Sequence, residues 1–392
     1  MIRENTLTDS AQSGVEIQLR GVTKRFRGQS KPAIADLDLT IPAGELVIFV
    51  GPSGCGKTTT LKMINRLIEP SGGSILIDGD DVTHTDPTKL RRQIGYVIQG
   101  GGMIPHMTVA GNIGLVPGLL KWDKSRIRQR VDELLDMVGL APETYRDRYP
   151  RELSGGEQQR VGVARGLAAD PPVVLMDEPF GAVDPITRSR LQDELMSIQS
   201  ELGKTIVCVT HDIDEAIKLG DRILILEPGG KIAQYDTPQN ILAAPANDFV
   251  KDFIGSGSTL KQLSLCRADD LPFTHLQTAT IGEPTFDVVR RLEEAGETSA
   301  VIVDEHDRPC EWLGIRQLQN LQEVPAPARH ASNVIDRSVT VNNAVDSMLA
   351  SSHGGVMVTE DGVFIGVLMY DAVIDYVRAL NEEAVAWQED TR

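Results

Sequence analysis

Three things are scarce in this chain of 392 residues: cysteine, long apolar runs and positive charge. The four cysteines, Cys55, Cys208, Cys266 and Cys310, stand far apart and form no Cys-x-x-Cys pair. That argues against a disulfide framework or a structural zinc and fits a reducing cytoplasm. No apolar stretch approaches the ~18 residues of a membrane span. Residues 1–15 are polar, carry Arg3, Glu4 and Asp9, and lack the apolar centre of a secretory signal, so they read as a frayed, disordered extension. Lys and Arg number 39 against 56 Asp and Glu, a net charge of −17. The deficit is uneven: residues 261–392 hold 22 acidic and 10 basic side chains, a balance of −12. Such a chain is a poor candidate for binding nucleic acid or anionic lipid. Acidity as a solubility device is the plainer alternative. Apolar content, at 41%, is ordinary, and the length suffices for two or three domains with cores of their own.

What is present centres on Gly51-Pro52-Ser53-Gly54-Cys55-Gly56-Lys57-Thr58-Thr59. The apolar run Leu46–Val50 before it reads as a buried strand, and residues 60–67 after it read as a helix. Strand, glycine loop and helix are the context in which Gly-x-x-x-x-Gly-Lys-Thr becomes a phosphate site. Glycines let backbone N–H groups close around phosphate oxygens, and the helix N-terminus adds donors and partial positive charge. Lys57 is expected at the β- and γ-phosphates and the Thr58 hydroxyl on Mg²⁺. The string alone could be a glycine turn before a lysine; its flanks argue against that. Cys55, inside the loop and close to Lys57, is expected to be reactive and to be protected by a bound nucleotide; a shielded thiol that is only a small loop residue is the commoner alternative.

Further candidates follow in order. Phe26 is either a core aromatic or a base-stacking one. The strand 94–98 ends at Gln99, at the sheet edge where α/β proteins hold ligands, although an edge glutamine facing solvent is an equal reading. Residues 108–169 turn helical, with Ile127, Val131, Leu134, Leu135 and Val138 forming one apolar stripe. Leu153-Ser154-Gly155-Gly156-Glu157 opens a helix, either as a second anion site or as a capping box between Ser154 and Glu157, and both can hold at once. The apolar strand from Val173 ends in Asp177 and Glu178. There a carboxylate can hold Mg²⁺ through water, and its neighbour can orient or deprotonate an attacking water. Asp184 follows, and the strand 205–210 ends at His211.

Together these motifs closely resemble the ATP-binding cassette of ABC transporters over residues 16–254. The resemblance implies an α/β P-loop fold with a helical subdomain over about 100–170, and a homodimer that sandwiches two ATP molecules. Each ATP lies between one subunit's P-loop and the other subunit's Ser154-Gly155-Gly156. Phe26 then stacks on adenine, Asp184 joins the nucleotide-binding set, Gln99 contacts metal and transporter, and His211 senses the γ-phosphate. Thr58, Gln99 and Asp177 form the metal set, and Glu178, His211 and Gln99 the catalytic set. A narrower likeness is to glycine betaine/carnitine/choline/proline importers, in Lys62–Pro70, Asp147–Pro150, Ala169–Pro172 and Thr210–Ala216. Gly100-Gly101-Gly102 and Val183 depart from the usual pattern. Import implies integral membrane permease subunits, an extracytoplasmic solute-binding protein, and residence on the cytoplasmic face of the membrane. ATPases importing amino acids or polyamines, and soluble ABC ATPases outside transport, are the rival readings.

Gly255-Ser256-Gly257-Ser258 signals a linker, expected over 255–276. A weak repeat follows, with Val301–Asp304 and Leu313–Ile315 echoed by Val356–Thr359 and Ile365–Val367. Helices with apolar faces at Phe286, Val289 and Leu292, and at Val345, Met348 and Leu349, precede the two units. Residues 277–322 and 334–381 resemble tandem CBS modules, ahead of an acidic tail at 382–392. A small regulatory nucleotide near Asp371, a response to ionic strength through the acidic balance, and a purely dimerising role are the three readings of this pair.

Overall fold

A computed structural model describes residues 14–181, 183–255, 257–326, 331 and 333–379. Residues 1–13 and the tail 382–392 lie outside the described residues, as does part of the separator between the repeats. Two compact units divide the chain: Met1–Ile241 with Pro245–Ile254, and Leu242–Ala244 with Gly255–Arg392.

Among the described residues, the first unit is built on ten strands. They are β1 (Ile17–Lys24), β2 (Ile34–Ile41), β3 (Leu46–Val50), β4 (Gly72–Ile77), β5 (Asp80–Asp81), β6 (Ile94–Val97), β7 (Val173–Asp177), β8 (Thr205–Val209), β9 (Arg222–Glu227) and β10 (Lys231–Asp236). The central sheet has the order β10-β9-β3-β8-β7-β6 and is parallel except for the β9–β10 pair. A parallel strand is covered on both faces, which is why β3, β7 and β8 are buried at every position and read as unbroken apolar runs. A second sheet, β2-β1-β4-β5, is antiparallel. Phe49, Leu61, Ile64, Leu175 and Val207 lie in the core that both sheets share.

Parallel strands deliver their carboxyl ends to one edge. The turn after β3 is the glycine loop, β6 leads to Gln99, β7 to Glu178 and β8 to His211. Between β6 and β7 the chain is helical, including Lys124–Met137 and Gly155–Leu167. Val131, Leu134, Leu135 and Val138 are buried as their spacing requires. Gly14 and Val15 belong to the fold rather than to a frayed extension. The Gly14 N–H donates to the Gly203 carbonyl (2.7 Å), and the Thr205 hydroxyl donates to the Val15 carbonyl (2.7 Å).

The second unit repeats one topology twice. β11 (Thr278–Thr280) pairs parallel with β12 (Ser299–Val303), which pairs antiparallel with β13 (Pro309–Gly314). β14 (Val334–Asp336), β15 (Gly355–Glu360) and β16 (Val363–Met369) do the same. The three-residue leading strands were too short to show a period. The stretch expected as a linker is instead structural. It carries the helix Ser258–Leu263 and a 3₁₀ turn at Ala268–Asp270, and Leu263, Ala268 and Leu271 lie in the core of the second repeat. Arg337 clips this stretch down by pairing with both Asp269 and Glu360. In the first helix, Thr285–Ala295, Leu292 is buried and Val289 packs against the core as expected, but Phe286 does not. Val288 and Leu292 face its core, whereas Phe286 is 76% exposed. The Thr285 N–H, bonded to the Gln322 carbonyl, fixes the rotation at the start of that helix.

Candidate nucleotide site

The glycine loop turns tightly enough that its first residue has no room for a side chain. Gly51 sits at φ 143°, and a Cβ there would come within 2.3 Å of the Leu226 carbonyl oxygen. Pro52 is half-buried, Ser53 and Gly54 are exposed, and Gly56 caps the helix Lys57–Ile64 in a left-handed conformation. Lys57 is buried. Its Nζ donates to the carbonyls of Gly51 (2.6 Å) and Pro52 (3.1 Å) and lies 3.7 Å from Cys55 Sγ. The ammonium is thus held against its own loop by groups that a phosphate can replace. Thr58 and Thr59 are half-buried in the first helical turn.

Cys55 departs from expectation. Its thiol is fully buried beneath the loop, within the core that holds Phe49 and Leu226. Proximity to Lys57 cannot make a thiol reactive when reagents have no path to it.

At the sheet edge, two groups of side chains meet. The Thr58 hydroxyl donates to Asp177 Oδ1 (2.9 Å), joining the P-loop helix to the end of β7. Asp177 is buried. Its charge adds to the effect of burial on Tyr96, whose phenol is pushed up to about 12. Beside this pair, Gln99 Nε2 donates to Glu178 Oε2 (2.8 Å), and His211 Nδ1 lies 3.5 Å from Glu178 Oε1. Three strand ends therefore converge on one carboxylate. Glu178 itself has φ 48°, the left-handed region, and precedes a proline. Such a conformation costs on the order of 1–3 kcal/mol and persists only where surroundings impose it.

The other expected residues are not drawn into this cluster. Phe26 is half-buried in the turn after β1, with Lys24 Nζ 5.1 Å from its ring centre. Ser154 and Gly155 are exposed, and Gly156 is half-buried. Ser154 caps its helix reciprocally with Glu157: Ser154 N–H donates to Glu157 Oε2 (2.7 Å), and Glu157 N–H donates to Ser154 Oγ (3.3 Å). The Tyr145 hydroxyl donates to the other Glu157 oxygen (2.7 Å). Asp184 caps the helix Pro185–Leu202, and the Thr187 N–H it accepts holds its carboxyl below the usual range.

Two contacts carry no simple sequence signal. Gln159, on the helix that Ser154 begins, donates from Nε2 to the Glu178 carbonyl (2.8 Å). Gly101 presses on that same helix: a Cβ on it would lie 2.5 Å from the Gln158 carbonyl oxygen. Arg165 donates to the carbonyls of Gly101 (3.0 Å) and Gly102 (2.7 Å). The triple glycine that departs from the family pattern is thus the surface by which the Gln99 loop seats on the helix.

Comparison with known proteins identifies the family. The ABC transporter family model matches residues 34–181. The osmoprotectant import ATP-binding protein OsmV of Salmonella typhimurium is 44% identical over 379 residues, spanning 93% of this chain and 98% of that protein. The carnitine transport ATP-binding protein OpuCA of Listeria monocytogenes is 42% identical, spanning 95% and 96% of the two chains. The dimeric, post-hydrolysis structure of the ATP-binding cassette MJ0796 bound to ADP and Pi superposes with a TM-score of 0.53 at 37% identity, over 57% of this chain and 98% of that one. The chain belongs to the ABC transporter family, in the group of its osmoprotectant-import ATP-binding proteins.

Proposed function

We propose that the chain hydrolyses ATP as one of two identical subunits that drive import of a quaternary-ammonium or proline-type osmoprotectant. The convergence of Gln99 and His211 on the Glu178 carboxylate, beside the Thr58–Asp177 pair, carries the hydrolytic part of this reading, and the likeness to osmoprotectant and carnitine import proteins over nearly the full chain supports the rest. The glycine loop and the Lys57 ammonium bind the phosphates, with Lys57 exchanging its loop carbonyls for phosphate oxygens. A hydroxyl and a carboxylate 2.9 Å apart are hard oxygen donors that suit Mg²⁺, with Gln99 completing the set. Bound there, Mg²⁺ neutralises charge on the phosphates. Glu178 accepts a hydrogen bond from the attacking water and takes up its proton, while Gln99 and His211 hold the carboxylate in place. Phe26 and Asp184 serve the nucleotide from the periphery of the site. The Ser154-Gly155-Gly156 turn, exposed at its first two residues, serves the ATP of the opposite subunit, in line with the dimeric cassette this chain resembles.

No helix among the described residues is long and apolar enough to cross a membrane. Import therefore rests on integral permease subunits, with a solute-binding protein on the far side and this subunit docked peripherally on the cytoplasmic face. The second unit, two copies of one strand–helix–strand–strand topology, acts as a CBS-type regulatory module with Asp371 exposed at the start of its last helix. A small nucleotide held between its repeats is one trigger; ionic strength acting on the charge balance of −12 over residues 261–392 is the other.

The test is transport by the subunit assembled with its permease partners in vesicles, against a panel of betaine, choline, carnitine, proline and spermidine. ATP-dependent uptake of a quaternary amine or proline supports the reading, and uptake of spermidine alone contradicts it. Repeating the assay over a salt series without residues 256–392 tests the module. Unchanged salt dependence after truncation excludes it as the sensor.

A further inference from the structure

The Glu178 backbone is left-handed immediately before Pro179, a conformation that outside contacts must enforce. On one side its N–H donates to the Val209 carbonyl (2.9 Å). On the other, its carbonyl accepts from Gln159 Nε2 (2.8 Å). Gln159 is 1% exposed, so its amide works in a site where water offers no substitute. It lies on the helix Gly155–Leu167, only five residues beyond Ser154, about 7–8 Å along the helix axis. Gly101 seats against Gln158 and Gly162 of the same helix, and Arg165 binds the carbonyls beside it. Both partners in the Gln99–Glu178 contact are thus registered to one helix.

We propose that Gln159 is a positioning residue: it sets the Glu178 peptide from the helix whose first turn serves the opposite nucleotide. Closure on the partner's ATP then aligns the carboxylate of the subunit that supplies the turn. Neither site reaches its hydrolytic geometry until the other is engaged. This rests on the composite-site reading, in which Ser154 acts across the dimer.

The test uses Gln159→Met and Gln159→Leu in the full chain, which remove the amide donor and keep an unbranched or compact apolar side chain. We expect kcat to fall about tenfold or more, since small misplacements of a reacting group carry losses of this size. The KM for ATP stays within about twofold, and ATP still drives dimer formation, seen by size-exclusion chromatography. In a Glu178→Gln background, Gln159→Met adds less than about twofold to the loss, because both changes act through one carboxylate. Normal kcat in both variants overturns the proposal, as does a multiplicative loss in the double variant. Loss of ATP-driven dimers in both variants overturns it too, since Gln159 would then only support the helix. Ser154→Arg is the separate control. If it leaves hydrolysis and dimer formation intact, the composite-site reading fails while the effect of Gln159 on kcat is still read in its own subunit.

Discussion

Gly101→Ala separates contact from conformation in the loop that carries Gln99. Gly100 and Gly101 have nearly the same backbone, φ 75° and 79°. An alanine at either costs roughly 1–2 kcal/mol for occupying the left-handed region. Beyond that the two differ. A Cβ on Gly100 meets nothing within 4 Å, whereas one on Gly101 meets the Gln158 carbonyl oxygen at 2.5 Å and its carbon at 2.9 Å. Those are backbone atoms of a packed helix and cannot swing aside. The loop must therefore lift, stretching the bonds from Arg165 to the Gly101 and Gly102 carbonyls and carrying Gln99 off Glu178. Gly100→Ala should cost a few degrees of thermal stability, at roughly 2–4 °C per kcal/mol for a unit of this size, and leave hydrolysis within about twofold. Gly101→Ala should lose about 10- to 100-fold in steady-state phosphate release. Fluorescent-nucleotide titration should show its ATP affinity nearly unchanged, because the P-loop is untouched. Equal loss of hydrolysis in the two variants would show that contact with the helix plays no part.

Three further outcomes follow. Cys55 should resist maleimide in the folded, nucleotide-free protein and react on unfolding; rapid labelling of the native chain, followed by mass spectrometry, would contradict its burial. Leu263→Ala should destabilise the second unit by about 2–5 kcal/mol, the cost of emptying a buried leucine site, and calorimetry should show that unit's transition moving alone. His353 stacks flat on Trp312, with ring centres 4.8 Å apart, and burial lowers its basicity from the ordinary 6.5. The native state therefore favours neutral imidazole: the contribution is present above about pH 6.5 and is lost as pH falls through the lowered value. His353→Asn should flatten the acid limb of the second unit's melting profile, and an unchanged limb would count against this.

Much of the nucleotide site was legible because chemistry that needs adjacent residues leaves short strings. The glycine loop and the Asp177-Glu178 pair are contiguous, and buried parallel strands announce themselves as apolar runs. Gln99 and His211 were legible as strand ends and, through the family resemblance, as members of one set with Glu178, but not as direct contacts of its carboxylate, because only the order of β6, β7 and β8 brings them there. Gln159 was invisible in a different way: its string was in plain view, but a side-chain bond to a distant carbonyl has no periodicity. The same holds for Gly101, whose purpose is the absence of a side chain against a helix over fifty residues later. Cys55 misled because sequence gives proximity to Lys57 but not the direction of the thiol. In the second unit, Gly255 and Gly257 suggested a linker, while the segment's few core contacts, Leu263, Ala268 and Leu271, were too sparse to signal a fold. Phe286 was assigned to the core by its spacing with Val289 and Leu292, and the hydrogen bonds at the start of its helix turn it outward.

The proposed mechanism assigns Glu178 as the group through which water attacks ATP held between two subunits. Glu178→Gln tests it most directly, because the amide retains the shape of the side chain and can still accept from Gln99 while losing the ability to take a proton. Phosphate release should fall by about 100-fold or more, nucleotide affinity should hold, and the variant should accumulate as an ATP-containing dimer on size-exclusion chromatography. Near-normal hydrolysis by Glu178→Gln would remove Glu178 from that role.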